Sequence, residues 1–309
     1  MSKVAVTGGA GFIGSHIVDL LIEKNYDVVV IDDLSTGKRE NINDNAKFYE
    51  IDICDPYLRG ILEREGPDYV IHQAAQVSVR YSLSDPGFDA HTNIVGSLSL
   101  LESCRSLCVE KVIYASSGGA IYGEPQYLPV DEKHPVMPLS PYGVSKYTVE
   151  NYLYAYEKNF DLNYVSLRYS NVYGPRQDPS GEAGVIAIFI NAFLNNKNPT
   201  INGDGKQTRD FVFVEDIAKA NLLALEKDTD SRVFNIGTGV ETSVEELYNR
   251  LKKLLDSKLS PIYGEAIRGE VRKICLDSAL ARKELGWTPE NTLDDGLEKT
   301  IEWFKSNKE

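Results

Sequence analysis

The residues best suited to chemistry are Tyr142 and Lys146, in Leu139-Ser140-Pro141-Tyr142-Gly143-Val144-Ser145-Lys146. Residues four apart on a helix lie one turn from each other on the same face. A free phenol has a pKa of about 10 and is a poor base at neutral pH. A nearby ammonium favours its phenolate, and a phenolate can take a proton from an alcohol. Upstream, Ser116-Ser117-Gly118-Gly119 offers hydroxyls able to bridge the phenol to that alcohol. The Tyr-x-x-x-Lys spacing is not specific, because Tyr154/Lys158 and Tyr248/Lys252 repeat it. Context separates the three. Ser140 suits a helix cap and Pro141 a first turn, so Tyr142 opens a helix shortly after the Ser-Ser-Gly-Gly turn. The other two pairs fall inside ordinary amphipathic helices.

The first fifteen residues supply a second site. An apolar run, Lys3 to Thr7, leads into Gly8-Gly9-Ala10-Gly11-Phe12-Ile13-Gly14, and a helical pattern follows at once. Gly8 can take a turn conformation that a Cβ resists. Gly11 leaves room for a phosphate, and Gly14 lets the helix pack on the strand. Free N–H groups in the first turn, at Phe12 and Ile13, would face a pyrophosphate. A second apolar run, Val28 to Ile31, ends in Asp32-Asp33, placed to accept hydrogen bonds from adenosine ribose hydroxyls and to repel a 2′-phosphate. The ligand expected is therefore NAD. Its positive nicotinamide ring beside Tyr142 would add to the lysine in stabilising the phenolate, while hydride passes to the nicotinamide.

These sites need elements to hold them. A third strand is expected at 47–53, with Asp52 and Ile53 at its end positioned to flank the adenine. Asp52 serves equally well as the cap of a helix beginning near Asp55-Pro56. A fourth strand, Tyr69 to His72, ends in Gln73-Ala74-Ala75, small enough for a cofactor to pass close. His72 reads as a packed, hydrogen-bonded histidine. A long helix is expected at 88–106 with Asn93 near its start, then a fifth strand from Lys111 to Ala115. Later helices are expected at about 181–196 and 293–305. Five strand–helix alternations predict an α/β fold, a doubly wound (Rossmann) mostly parallel sheet with a smaller mixed C-terminal domain.

The 309 residues, 42% hydrophobic, suit one large unit or two joined domains. The net charge of −13 leaves no basic footprint for nucleic acid. No apolar run approaches a membrane span and no leader pattern opens the chain, so the expected location is cytoplasmic. Cys54, Cys104, Cys108 and Cys275 read as packed thiols, and the four histidines lack ligand spacing, so no metal is expected.

The residues quoted resemble the extended short-chain dehydrogenase/reductase family. Arg168 to Arg176, Gly203-Asp204-Gly205 with Arg209-Asp210-Phe211, Phe234 to Gly239, and Leu285 to Pro289 are similar to its nucleotide-sugar 4-epimerases. The resemblance spans essentially the whole chain. It implies interconversion of UDP-galactose and UDP-glucose at C4 through a transient 4-keto sugar. Tyr142 would be the acid–base residue, Lys146 would bind the nicotinamide ribose and tune the phenol, and Ser117 would be the relay. Counting back from Tyr122-Gly123 places the relay at Gly118, whereas counting from the strand places it at Ser117. Further NAD contacts implied are Ser35, Gly37, Asn93, Ser116 and Tyr169. Substrate contacts implied are Asn171, Val185, Phe189, Arg209, Arg268 and Glu270, with Val185 and Phe189 serving equally well as core. Ile274 falls where bulk gates an N-acetyl group. Residues 1–170, joined by about 205–240, would form the NAD domain, and 171–204 with 241–309 the sugar domain. A homodimer built through helices near 88–106 and 141–159 is implied. Related readings are a 4,6-dehydratase, a decarboxylase, an epimerase of UDP-N-acetylglucosamine or UDP-glucuronate, and a non-catalytic NAD sensor. Elimination chemistry commonly needs an acid where this chain has Gly118-Gly119.

Overall fold

The computed structural model describes residues 2–180, 184–266 and 271–307. Its strands are β1 (Lys3–Thr7), β2 (Asp27–Asp32), β3 (Lys47–Glu50), β4 (Tyr69–His72), β5 (Lys111–Ser117), β6 (Tyr164–Tyr169), β7 (Asn171–Tyr173), β8 (Thr200–Asn202), β9 (Thr208–Phe213), β10 (Val233–Ile236), β11 (Glu241–Ser243) and β12 (Ile262–Gly264). Its helices are α1 (Phe12–Glu23), α2 (Leu58–Glu65), α3 (Val79–Ser84), α4 (Pro86–Ala90), α5 (Ser97–Ser106), α6 (Gly118–Ile121), α7 (Pro141–Phe160), α8 (Val185–Leu194), α9 (Val214–Glu226), α10 (Val244–Leu254), α11 (Ala279–Glu284) and α12 (Leu293–Ser306). A π-helical turn, His91–Gly96, joins α4 to α5.

The main sheet runs β10-β6-β5-β4-β1-β2-β3, and every neighbouring pair is parallel. Strands covered on both faces read as unbroken apolar runs, which explains Val28 to Ile31. Successive residues still feed opposite layers. Val4 and Val6 join Ile17, Leu21 and Ile217 on one side. Ala5 joins Leu58, Leu100, Val149 and Leu153 on the other. Strand order reverses between β1 and β4, so the ligand crevice lies beyond their carboxyl ends.

A second sheet, β11-β9-β7, and the pair β12-β8 form the smaller unit. Its core joins Phe193, Tyr248 and Leu251 to Leu297 and Ile301. The chain crosses between the units more often than the expected segments imply. Of 205–240, β9 belongs to the small sheet, while β10 pairs with β6 and α9 packs on the main sheet. The C-terminal segment also returns: Ala281, Leu285 and Trp287 lie in the main core. The indole Nε1 donates to the Asp216 carbonyl of α9 at 2.8 Å, so burying Trp287 brings this stretch back.

Three expected boundaries move for local reasons. β3 stops at Glu50, because Asp52 Oδ1 accepts from the Cys54 N–H and closes a turn. Asp52 therefore does not cap α2, which begins only at Leu58. The helix expected from 88 begins at Pro86 with Asp85 as its cap, the Asp85 side chain accepting from the Phe88 N–H. The helix expected at 181–196 is described as Val185–Leu194.

The first turn is built on close approach. Gly8 has φ +68°, and a Cβ there would meet the Ala74 backbone nitrogen at 2.6 Å. A Cβ on Gly14 would lie 2.1 Å from the Gly8 carbonyl oxygen. Backbone cannot yield as a side-chain end can. Gly14→Ala is thus expected to destabilise the fold by at least ~2 kcal/mol and to empty the protein of NAD. Urea melts and the A260/A280 ratio of the purified variant check this.

Candidate active site

Ser140 caps α7, its hydroxyl accepting from the Gly143 N–H at 3.2 Å, and Pro141 fills the first turn. A Cβ on Gly143 would meet the Ala120 carbonyl oxygen at 2.6 Å. The start of α7 therefore lies hard against the turn that follows β5. This contact brings Tyr142 toward Ser117. Ser116 and Ser117 alternate along the strand: Ser116 is 3% exposed, whereas Ser117 is half-buried at the crevice. A Cβ on Gly118 would press into Leu276 Cδ1 at 2.5 Å, which leaves no room for a relay hydroxyl there. A Cβ on Gly119 would sit 3.8 Å from Asn171 Oδ1 and 4.0 Å from Ser117 Oγ. Asn171 and Ser117 thus face one small space.

Lys146 is 4% exposed. Its ammonium donates to the Ala115 carbonyl at 2.9 Å and lies 5.1 Å from the Tyr114 ring centre and 5.9 Å from that of Tyr142. The other two Tyr-x-x-x-Lys pairs have similar ring geometry, at 5.4 and 5.8 Å. The lysine distinguishes them, since Lys146 is buried whereas Lys158 is exposed and Lys252 half-buried. Tyr154 is 57% exposed, and Tyr248 is a core residue whose phenol donates to the Leu259 carbonyl.

Burial pushes Tyr142 up to about 12; the Ser117 hydrogen bond opposes the rise and the charge of Asp89 adds to it. Burial pulls Lys146 down to about 8, opposed by Asp89. The lysine donates to the Ala115 carbonyl while its ammonium stays within 5.9 Å of the Tyr142 ring centre. His72 is a packed histidine: Nδ1 meets Thr7 Oγ1 at 2.7 Å, Nε2 meets Ser97 Oγ at 2.9 Å, and burial holds it down to about 3.

The dinucleotide residues line the crevice around the β1–β4 switch point. No side chain caps α1 at Gly11, so the N–H groups of Phe12 and Ile13 remain for an anion. Asp32 Oδ2 accepts from the Ala10 N–H and Oδ1 from the Leu34 N–H, and Gly37 packs onto its carboxylate. Burial raises the Asp32 carboxyl. Asp33 is exposed, and its Oδ1 accepts from the Ser35 N–H and hydroxyl. Ile53 is 4% exposed beneath Gly96. The Ala74 N–H reaches Thr7 Oγ1 at 3.3 Å, with Ala75 following at the open edge. Gln73 Nε2 donates to the Tyr169 phenol at 3.1 Å, and Asn221 shares that oxygen. Both side chains are committed to each other, so only their backbone or ring edges remain for a cofactor. Asn93 accepts from the Gln76 N–H at 2.8 Å and donates to its carbonyl at 2.9 Å, bracing the loop after β4.

Among the described residues, Ser116 Oγ, Ser170 Oγ and Asn171 Oδ1 are buried without a hydrogen-bond partner. Buried polar atoms are as a rule paired, and these three lie where β5 and β6 end and β7 begins. An uncapped helix start, a close glycine turn and these atoms fit NAD and a polar sugar.

On the substrate side, Arg209 Nη1 donates to the Thr208 carbonyl at 2.8 Å. Val185 opens α8 and packs partly on the small core. Phe189 is 1% exposed against Tyr248, in the core of the small unit. Ile274 is likewise buried, with Ile121, Tyr122, Val130 and Leu276, behind the Ser117 turn. Arg268 and Glu270 lie outside the described residues. Sequence reading missed Asp89 and Ser145, joined at 2.6 Å. Ser145 stands next to Lys146 in the motif, but nothing in the sequence signals that Asp89 reaches it.

Comparison with known proteins agrees with this geometry. The model of the NAD dependent epimerase/dehydratase family matches residues 4–237. A UDP-glucose 4-epimerase of Mycolicibacterium smegmatis is 43% identical, over 99% of this chain and 100% of its own. The crystal structure of the Thermotoga maritima UDP-glucose 4-epimerase with UDP-glucose superposes with a TM-score of 0.97 at 49% identity, covering 99% of this chain and 100% of that one. That of the Thermus thermophilus UDP-glucose 4-epimerase complex with NAD gives 0.94 at 40%, covering 99% of each chain. With a parallel sheet reversing at an uncapped glycine turn, and a Tyr–Lys pair at its carboxyl edge, the chain belongs to the NAD dependent epimerase/dehydratase family.

Proposed function

We propose that the protein interconverts UDP-galactose and UDP-glucose at C4, using Tyr142, Lys146 and Ser117. The observation that carries this is the start of α7, with Tyr142, packed against the turn that follows Ser117, beside a buried lysine that donates to Ala115. NAD, when bound, accepts and returns the C4 hydride and places a positive ring beside the phenol. Tyr142 takes the proton of the sugar 4-hydroxyl and later gives it back. Ser117 bridges the two oxygens, and Lys146 holds its ammonium in place through Ala115. Asn171 faces the same space as Ser117 and suits the sugar diphosphate. Arg209 and Arg268 suit its phosphates, since a guanidinium fork donates two parallel hydrogen bonds, and Glu270 suits the uridine ribose.

A 4,6-dehydratase is disfavoured by Gly118 and Gly119: no acid stands there, and Leu276 fills the space beside Gly118. The reading includes a homodimer. Tyr81, Leu83, Phe88, Val95 and Tyr152 leave 39–54% of their surfaces exposed on α3, α4, the π turn and α7. Apolar exposure of this kind suits a second copy. The location read with it is the cytoplasm; among the described residues no helix is long and apolar enough to cross a membrane.

Proton NMR of the purified protein with UDP-galactose, without added cofactor, is expected to show UDP-glucose growing to an equilibrium ratio. Unchanged anomeric signals, even with NAD added, would overturn the assignment, and UDP-N-acetylglucosamine and UDP-glucuronate would be tried next. Tyr142→Phe should retain NAD and lose turnover by at least ~100-fold. Ser117→Ala should slow turnover more than Ser116→Ala, and the opposite order would shift the relay. Val95→Glu should halve the mass seen by light scattering while the circular dichroism stays unchanged.

A further inference from the structure

Asp89 lies on α4 and is completely buried. Its Oδ2 accepts from the Ser145 hydroxyl at 2.6 Å. Its Oδ1 accepts from Gln76 Nε2 at 2.8 Å and from Asn93 Nδ2 at 3.0 Å. One carboxylate therefore joins the loop after β4, the π turn and α7. All three donors are neutral, so none of them compensates its charge. The π turn is part of the arrangement, because it carries the Asn93 that grips both Asp89 and the Gln76 backbone. Such turns recur at functional sites.

The other groups around Lys146 leave it without a counter-charge. From β5 come the Ala115 carbonyl and the Tyr114 ring. His72 on β4 is held neutral between Thr7 and Ser97. Glu150, one turn further along α7, is paired with Arg168 of β6 at 2.6 Å. Arg80 on α3 is itself engaged, and α6 carries no charge. Asp89 is the charge that favours ammonium at Lys146, and it disfavours phenolate at Tyr142.

We propose that Asp89 is a positioning residue for the epimerisation: its buried carboxylate fastens α7 to the loop after β4 and holds Lys146 as an ammonium. This rests on the assignment of Tyr142 and Lys146 above. The carboxylate has two effects with opposite consequences. It keeps the lysine charged, so the active form persists to higher pH. It also makes the phenol harder to ionise, so the active form begins at higher pH. Removing the charge lowers both pKa values and moves the whole working window toward acid.

The test is the kcat–pH profile of NAD-loaded Asp89→Asn, which keeps the size of the side chain and loses its charge. Both limbs are expected to move to lower pH by about half a unit or more. Limbs at wild-type positions, whatever the height of the curve, would overturn the proposal, because a purely structural loss scales the curve without moving it. Tyr142→Phe, measured in parallel, separates the two readings. Normal turnover there removes the site assignment itself, whereas an inactive Tyr142→Phe with unmoved Asp89→Asn limbs removes only the role of Asp89. If Asp89→Asn does not fold, Ser145→Ala carries the test. It breaks the tie and keeps the charge, so turnover should fall about tenfold with NAD content and both limbs unchanged. Wild-type turnover in that variant would refute the tie.

Discussion

A positive charge buried at the carboxyl edge of the sheet organises this molecule. Lys146 has given up water for one carbonyl, that of Ala115, and for the faces of two tyrosines. An ammonium survives such a move only when its surroundings are polarised toward it. Much of the local architecture serves that need. β5 must extend far enough to offer the Ala115 carbonyl, α7 must start against the turn after β5, and a carboxylate must be buried with it. The start of α7 reaches the turn through the close approach permitted by Gly143.

The dinucleotide end obeys a different constraint. There the ligand is to be met by backbone, so side chains must be absent rather than present. Gly8, Gly14 and Ala74 let β1, α1 and β4 approach until no Cβ fits between them. The first turn of α1 is left uncapped by any side chain. Asp32, the acidic residue of the second strand, first shapes the loop by accepting two backbone N–H groups. Its surface carboxylate neighbour, Asp33, is tied to Ser35. The two ends differ in kind: uncapped N–H groups at one, and a buried lysine beside two tyrosines at the other.

The smaller unit is coupled to the larger by buried polar anchors rather than by a single hinge. Asp210 on β9 accepts from the N–H groups of Thr238, Gly239 and Leu276. Leu276 in turn presses on Gly118. β9 is therefore linked, through one carboxylate and one leucine, to the turn that follows Ser117. This physical path links the smaller unit to the turn beside Tyr142 and Lys146.

Local features are legible in residue types at short spacing. The glycine turn, the apolar strand runs, the Ser140–Pro141 helix start and the Tyr142/Lys146 pair are all of this kind. Periodicity and capping are local physics, so they can be read without a structure. Long-range packing supplied the rest. Three Tyr-x-x-x-Lys pairs have nearly the same helical geometry, and only the burial of its lysine singles out Tyr142/Lys146. Ser117 rather than Gly118 faces the crevice, because Leu276, far away in sequence, occupies the space beside Gly118. Phe189 read equally well as pocket or core until the apolar cluster of the small unit enclosed it. Asp89 was invisible, since a carboxylate on a short helix normally faces water. Its meaning arises only when a serine 56 residues later folds against it. Contacts of that range carry no local signature, because the energy that selects them is the burial of whole elements.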